Sequence, residues 1–149
     1  MKRDLLGRAA IVTGASSGLG RAAAGALAAS GANVALLARS AQDLEESAAD
    51  ISGAGGRALP LSTDLADDAA IGEAVARVVK AFGRIDVLVN AAGTDAPGPV
   101  VDLSVDGWDR VMGVNVRAPF LLSKAVFARM RESGRGTIVN VSSVAGKRG

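Results

Sequence analysis

The chain has 149 residues, of which 49% are hydrophobic and 21% charged, and these proportions are typical of one folded globular domain. It contains no histidine, no cysteine and no tyrosine. A Ser-His-Asp triad, a cysteine nucleophile, a His/Cys zinc site and a disulfide are therefore excluded, and no metal site is predicted.

The formal net charge of +2 is divided unevenly along the chain. Residues 1–109 carry 9 basic and 14 acidic side chains (net −5), whereas residues 110–149 carry 8 basic and 1 acidic (net +7). A basic tail can indicate nucleic-acid binding, but aromatic residues, on which bases stack, are only 3% of the chain. We expect a basic surface and no nucleic-acid partner.

The first residues do not form a signal peptide, because Asp4 and Arg8 interrupt them before any apolar run develops. The longest segment without Asp, Glu, Lys or Arg, residues 22–38, is 17 residues long and contains two glycines. It indicates a helix, a turn and a strand, not a membrane span. Together with the lack of cysteine, these features predict a cytoplasmic protein with no membrane partner.

Short apolar runs alternate with longer helical patterns along the chain. The predicted strands are residues 9–13, 33–38, 58–61, 86–90 and 137–141. The helical patterns include residues 19–29, 41–51 and a third that begins at the caps Asp67 and Asp68, and Gly31 and Gly53 are predicted to end the first two. Nearly continuous apolar strands between helices predict an α/β domain over residues 1–149, a Rossmann-like doubly wound parallel sheet in three layers (α/β/α).

A glycine-rich segment, TGASSGLG at residues 13–20, directly follows the first predicted strand and opens the first helix. Its glycines permit a tight turn and the close approach of a pyrophosphate to the backbone, and the positive end of the helix attracts that anion. No Gly-Lys-Ser/Thr follows, which disfavours a nucleoside-triphosphate loop. The predicted contacts are Thr13, Gly14, Ser16, Ser17, Gly18, Leu19 and Gly20.

The choice of cofactor depends on the end of the second predicted strand. An acidic residue about 20 residues beyond the glycines binds the ribose 2′-hydroxyl of NAD, whereas an arginine accommodates the 2′-phosphate of NADP. Here Arg39 lies 19 residues beyond Gly20, with Ser40 beside it. This arrangement favours NADP over NAD; the alternative is an exposed arginine that only begins a helix.

With its G-x-x-x-G-x-G spacing, the glycine-rich segment resembles the Thr-Gly-x-x-x-Gly-x-Gly signature of the short-chain dehydrogenase/reductase family. Three further family motifs follow in order. Asp64 and Leu65 match the acidic motif, and residues 136–143, GTIVNVSS, match the strand that delivers the catalytic serine. The family's Asn-Asn-Ala-Gly motif is matched, with alanine in place of the second asparagine, by Asn90, Ala91, Ala92 and Gly93.

The resemblance implies hydride transfer between NADP(H) and a small carbonyl or alcohol substrate, with an Asn-Ser-Tyr-Lys tetrad relaying the proton. It implies that Asp64 contacts adenine, that Ser143 is the catalytic serine and that Asn115 is the tetrad asparagine. Pro119 has no N–H for the carbonyl of Asn115, so that carbonyl is available to a water, as in the family. A simple helix kink is the alternative explanation of this proline.

The family's Tyr and Lys are missing. This chain has no tyrosine, Lys147 is too close to Ser143 to match the family lysine, and the chain ends at Gly149. We therefore expect an N-terminal portion of a longer enzyme, inactive alone, with strand 137–141 left as an open sheet edge. The alternative is a non-catalytic NADP-binding module or pseudoenzyme.

Family members are often dimers or tetramers that associate through the helix matched here by residues 115–130. The resemblance therefore implies a homo-oligomer at full length, with Phe120, Phe127 and Met130 as candidate interface residues. Core packing of the same residues against the sheet is the alternative. Trp108 is expected to pack at the start of that helix.

Overall fold

The computed structural model describes residues 4–143 and contains a five-stranded, all-parallel sheet. The strands are β1 (Ala9–Thr13), β2 (Asn33–Ala38), β3 (Arg57–Ser62), β4 (Val87–Asn90) and β5 (Thr137–Asn140). The helices are α1 (Gly18–Ala29), α2 (Ala41–Gly53), α3 (Asp68–Phe82), α4 (Val105–Met112) and α5 (Ala118–Glu132). A 3-10 turn (Val100–Asp102) precedes α4, and a π-helical segment (Gly113–Arg117) joins α4 to α5.

The strand order is β3-β2-β1-β4-β5, so the chain moves outward from β1 to β3 and then returns to the other side of β1. Register partners such as Val12 with Leu36 and Val12 with Val89 fix β1 at the centre. The order reverses between β1 and β4, and a doubly wound sheet binds ligands at the carboxyl ends of its strands at this point. The predicted Rossmann-like fold is confirmed.

Helices cover the two faces of the sheet in pairs. Val12 and Leu36 face α1 and α2, where they pack in one buried cluster with Ala24 and Leu44. On the other face, α3 and α5 cover a second cluster that includes Ile11, Leu37, Leu88, Val78 and Leu122. Burial on both faces explains why the strands are nearly continuous in apolar character.

The helix boundaries follow local chemistry. The side chain of Asp67 accepts hydrogen bonds from the backbone N–H groups of Ala69 and Ala70, which caps α3 as predicted. Gly83, with φ of 75°, ends the same helix. The prediction that Gly53 ends α2 was wrong: Gly53 is still helical, and the left-handed glycine that follows is Gly55, with φ of 79°.

The burial of individual side chains in the last two helices also differs from expectation. Met130 is 5% exposed and packs in the core, so it is not an interface residue, whereas Phe120 and Phe127 are exposed. Trp108 is 53% exposed and does not pack as predicted. Spacing explains the pattern, because the inner face of α5 repeats every four residues from Ala118 to Met130 and excludes both phenylalanines.

One helical stretch within residues 4–143, Val105–Glu132, is long and apolar enough to cross a membrane: it has 28 residues, and an 18-residue window in it has a mean hydropathy of 1.3. By contrast, residues 22–38 fold as the predicted helix, turn and strand. In Val105–Glu132, the inner face of α5 packs against the sheet through Leu122 and Val126. Of the apolar window in this stretch, 17% is buried inside the fold.

An ionic cluster joins the strands at their amino ends, opposite the loops described below. The Asp86 carboxylate is 3% exposed and accepts hydrogen bonds from the Arg84 side chain and from the Ala9 backbone N–H at 2.9 Å. Arg8 and Arg135 lie 3.3 and 3.5 Å from the same carboxylate. Residues next to β1, β4 and β5 therefore converge on one buried charge.

Candidate functional site

The loop between β1 and α1 exposes the first turn of that helix. Gly14 and Gly18 have φ of 66° and 52°, a left-handed conformation that favours glycine. Ser17 is the N-cap of α1, but its side chain makes no capping hydrogen bond. The first N–H groups of a helix have no partners within that helix, so the amino end of α1 is suited to bind an anion.

Two of the loop glycines are required by close backbone packing. A Cβ atom at Gly20 would lie 2.2 Å from the carbonyl oxygen of Gly14, and one at Gly14 would lie 2.9 Å from the Cα of Ala92. Gly18 differs, because a Cβ there would meet no atom within 4 Å. Gly14 and Gly20 thus form the turn, whereas Gly18 keeps the space above it open.

Thr13 connects this loop to the loop after β4. Its side chain is buried, and its hydroxyl oxygen accepts hydrogen bonds from the backbone N–H groups of Ala91 and Ala92, both at 3.0 Å. Thr13 lies beneath the cavity rather than in its wall. It therefore holds the two sides of the crevice between β1 and β4 together.

Charged and polar side chains gather at the carboxyl ends of β2 and β3. Arg39 is exposed, and the Ser40 hydroxyl oxygen caps α2 by accepting a hydrogen bond from the Asp43 N–H at 3.3 Å. One Asp64 carboxylate oxygen accepts from the Ala66 N–H at 3.0 Å. Arg39, Asp43 and Asp64 all line the cavity, which places one guanidinium and two carboxylates at this end.

A cavity of about 720 Å³ runs along the carboxyl ends of the strands and is lined by most of the predicted cofactor residues. The predicted residues in its wall are Gly14, Ser16, Ser17, Gly18, Leu19, Gly20, Arg39, Ser40, Asp64, Leu65, Ala91, Ala92 and Gly93. Sequence reasoning missed Ala38, Asp43, Thr63, Thr94, Arg110 and Val114. Asp43 belongs to the first turn after Ser40, so helical spacing alone would have indicated it.

Asn115 lies in the π-helical segment and fixes that segment to the loop after β4. Its side-chain oxygen accepts from the Thr94 N–H at 2.9 Å, and its side-chain nitrogen donates to the Thr94 carbonyl at 2.8 Å. The Ala118 N–H donates to the carbonyl of Gly113. Pro119 follows at the start of α5 and, lacking an N–H, cannot donate to the carbonyl of Asn115. The deviation from α-helical geometry thus coincides with the predicted asparagine.

Asn90 and Ser143 lie on the β4 and β5 side of the crevice. Asn90 is buried, its side-chain nitrogen donates to the Asn140 side-chain oxygen at 2.8 Å, and its own side-chain oxygen has no partner within residues 4–143. It supports the sheet beneath the cavity wall. Ser143 is exposed three residues after the end of β5. Lys147 and Gly149 lie outside the described residues.

The crevice has the features of a dinucleotide-binding site. An uncapped helix end, a glycine loop open to solvent and a cavity of about 720 Å³ beside the strand-order reversal suit a pyrophosphate with a nucleoside on either side. Within the described residues, no group of three or more His, Cys, Asp or Glu side chains is arranged to hold a metal ion. The fold and site define a Rossmann-like nucleotide-binding domain.

Known proteins identify its family. Residues 8–149 match the family model described as short chain dehydrogenase. The chain is 42% identical over 139 residues to D-threitol dehydrogenase of Mycolicibacterium smegmatis, covering 93% of this chain and 54% of that protein. The crystal structure of a metagenomic short-chain oxidoreductase in complex with NADP is 42% identical, has a TM-score of 0.94, and covers 97% of this chain and 66% of its own. The chain belongs to the short-chain dehydrogenase family.

The chain spans about half the length of most curated relatives that it matches. One relative is more fully covered: the short chain dehydrogenase/reductase dpmpG of Macrophomina phaseolina is 40% identical over 150 residues, covering 98% of this chain and 86% of that protein. The predicted family resemblance is therefore confirmed, with the match extending over the cofactor crevice.

Proposed function

We propose that this chain is the NADP(H)-binding and serine-bearing part of an oxidoreductase that transfers hydride between NADP(H) and a small carbonyl or alcohol substrate. The observation that carries the proposal is Arg39, which lines the dinucleotide crevice at the end of β2 beside Ser40. When bound, the nicotinamide supplies or accepts the hydride. The residues of this chain bind and orient the cofactor.

Each part of the crevice has a separate binding role in this proposal. Ser16, Ser17 and the open backbone at Gly18 hold the pyrophosphate at the amino end of α1. Arg39 and Ser40 hold the 2′-phosphate, and Asp64 and Leu65 border the adenosine. The remaining wall residues after β4 form a close backbone surface against the cofactor.

Ser143 is proposed to hydrogen-bond the substrate oxygen, and Asn115 to act through its backbone carbonyl. The side chain of Asn115 is engaged by Thr94 at 2.8 and 2.9 Å, so only its backbone is available to a proton-relay water. The chain contains no tyrosine, and no other side chain has both the reach and the pKa of a phenol. We therefore expect detectable binding of NADPH but no useful rate of hydride transfer by this chain alone.

The Arg39→Asp substitution tests the choice of cofactor. A carboxylate at this position repels a 2′-phosphate and accepts a hydrogen bond from a 2′-hydroxyl, so affinity should shift from NADPH toward NADH. The measurement is the dissociation constant of each reduced cofactor by fluorescence titration. Arg77→Asp, an exposed arginine on α3 outside the crevice, is the matched control. Unchanged relative affinities in Arg39→Asp would contradict the assignment.

A second candidate function is a non-catalytic NADP-binding module, a pseudoenzyme. The crevice needs no tyrosine to bind a cofactor, so it supports this module as well as the enzyme. The intact mass of the protein from its natural source separates them. A mass well above 14.8 kDa, with a Tyr-x-x-x-Lys sequence in the added part, supports the enzyme, whereas a mass of 14.8 kDa supports the module.

We also propose a cytoplasmic homo-oligomer that associates through the exposed face of α5. Phe120 and Phe127 are 61% and 58% exposed, seven residues apart on one side of this helix. Exposed aromatic side chains at this spacing are typical of an association surface.

A further inference from the structure

Arg110 is an unassigned cation in the wall of the dinucleotide crevice. It belongs to α4 rather than to the loops that follow the strands, and it lines the cavity together with Val114, four residues later. Residues four apart project from the same side of a helix, so this side of α4 and of the π-helical segment faces the crevice. Within residues 4–143, the Arg110 side chain forms no ion pair or side-chain hydrogen bond.

The π-helical segment that follows α4 is held above the crevice by contacts on two sides. The Asn115 side chain is bonded to Thr94 in the loop after β4, at 2.8 and 2.9 Å. Two residues later, the Arg117 Nε donates to the Asp68 carboxylate at 2.8 Å, and Asp68 begins α3 directly after the β3 loop. The helix therefore extends over the crevice from the β4 loop toward the β3 loop.

This position lies beside the adenosine half of the proposed cofactor. The proposed function gives the pyrophosphate to the amino end of α1 and the 2′-phosphate to Arg39 at the end of β2. The lining residues that would then remain for the adenine ring include Leu65 after β3, and Val114 and Arg110 of the helical stretch. Among the described residues that line the crevice, none is aromatic.

We propose that Arg110 stacks its guanidinium plane on the adenine ring and closes the adenosine end of the crevice. A guanidinium is planar and weakly hydrated, and it stacks on bases and aromatic rings, so it can replace the absent aromatic side chain. Leu65 and Val114 provide apolar walls beside the ring. The assignment depends on the proposed function, because it requires a dinucleotide in the crevice.

The test is a set of titrations of the full chain with four ligands: NADPH, NADH, ADP and reduced nicotinamide mononucleotide. Arg110→Gln should weaken NADPH, NADH and ADP by a similar factor of about fivefold, because all three contain adenine. Reduced nicotinamide mononucleotide has no adenine, so its affinity should not change. Arg110→Lys keeps the positive charge but has no planar guanidinium. It should therefore weaken binding of the three adenine-containing ligands almost as much as Arg110→Gln does.

Two other variants make the result specific. Arg39→Gln should weaken NADPH alone, and Arg77→Gln, an exposed arginine on α3 outside the crevice, should change nothing. A loss confined to NADPH in Arg110→Gln would assign the residue to the 2′-phosphate and overturn the stacking proposal, as would unchanged ADP affinity. An unsubstituted chain that binds neither NADPH nor NADH would overturn the proposed function itself, and the role of Arg110 with it.

Discussion

Single glycines in the loop after β1 serve two different purposes. Gly20 and Gly14 lie where a Cβ atom would collide with backbone at 2.2 and 2.9 Å, so they are required by the fold. Gly18 has open space above it, and its φ of 52° is its only internal constraint. The same sequence motif thus combines glycines that shape the turn with one that leaves the space above the loop open.

Replacing these glycines separates folding from binding. Gly18→Ala should cost about 1–2 kcal/mol of stability from its left-handed backbone and should abolish NADPH binding, because the new methyl group enters the pyrophosphate space. Gly20→Ala should lower the thermal midpoint more, since the colliding backbone must move. Thermal unfolding and NADPH titration of each variant check this expectation. NADPH affinity retained in Gly18→Ala would contradict the assigned loop.

The electrostatic field at one end of the crevice is set by the charges of Arg39, Asp43 and Asp64. All three line the same end of the crevice, so the field that a 2′-phosphate meets there is the sum of one cation and two anions. Removing an anion should therefore favour the more negative cofactor. Asp43→Asn should raise the affinity for NADPH relative to NADH in paired titrations, and a shift toward NADH would contradict this account.

Strands and helices are connected at both ends of the sheet, by different chemistry. At the carboxyl ends the hydrogen bonds are neutral: the Thr13 hydroxyl oxygen accepts from N–H groups of the β4 loop, and the Asn90 amide of β4 donates to Asn140 of β5. At the amino ends, arginines converge on Asp86. Burial alone would raise the pKa of Asp86, but hydrogen bonds from Arg84 and from the Ala9 N–H outweigh it and lower the pKa below its ordinary value.

The lowered pKa of Asp86 predicts acid sensitivity. A carboxyl group whose pKa is lower in the folded state than in the unfolded state stabilises the fold at pH values above its unfolded-state pKa, which is near 4. This stabilisation is lost as the pH falls toward the folded-state pKa. Asp86→Asn should cost about 2 kcal/mol at pH 7 and should flatten the loss of stability below about pH 4. Urea unfolding at a series of pH values measures both effects.

A matched control for Asp86→Asn is Asp50→Asn. Asp50 also pairs with an arginine, Arg21 at 2.6 Å, but its side chain is 70% exposed. Exposed ion pairs contribute little, so this variant should lose clearly less stability at pH 7 than Asp86→Asn. Equal losses of stability in the two variants would indicate that the contribution of Asp86 does not depend on its burial.

At the scale of the whole molecule, several exposed apolar side chains belong to the last two helices and to the segment before them. Val100, Val101 and Val105 are 74–86% exposed before and at the start of α4, and the outer face of α5 adds Phe120 and Phe127. β5 pairs only with β4 among the described strands, and Val139 on it is 43% exposed. Apolar helix faces and unpaired strand edges both promote association.

Self-association should therefore depend on α5. The double variant Phe120→Asp/Phe127→Asp should lower the sedimentation coefficient of the chain at a fixed concentration, because two charges replace the apolar stripe. Leu6→Asp, which also replaces an exposed apolar residue but lies before β1, is the control and should leave it unchanged. Equal effects of the two substitutions would assign association to general surface hydrophobicity instead of to α5.

The sequence by itself determined the approximate strand runs, the Asp67 cap of α3, the glycine-rich loop and the order of the family motifs. These features depend on neighbouring residues or on a regular period, and a single chain displays both. The structure confirmed the fold and brought most predicted cofactor residues into one cavity.

Only the tertiary structure decided which residues meet across the fold. Arg8, Arg84 and Arg135 converge on Asp86 from separate elements, and no local pattern indicates this. The π-helical segment, Gly113–Arg117, turns α4 relative to α5, so one helical period cannot be carried from Trp108 to Met130. The exposed Trp108, the buried Met130 and the crevice-facing Arg110 follow from packing and from this change of register.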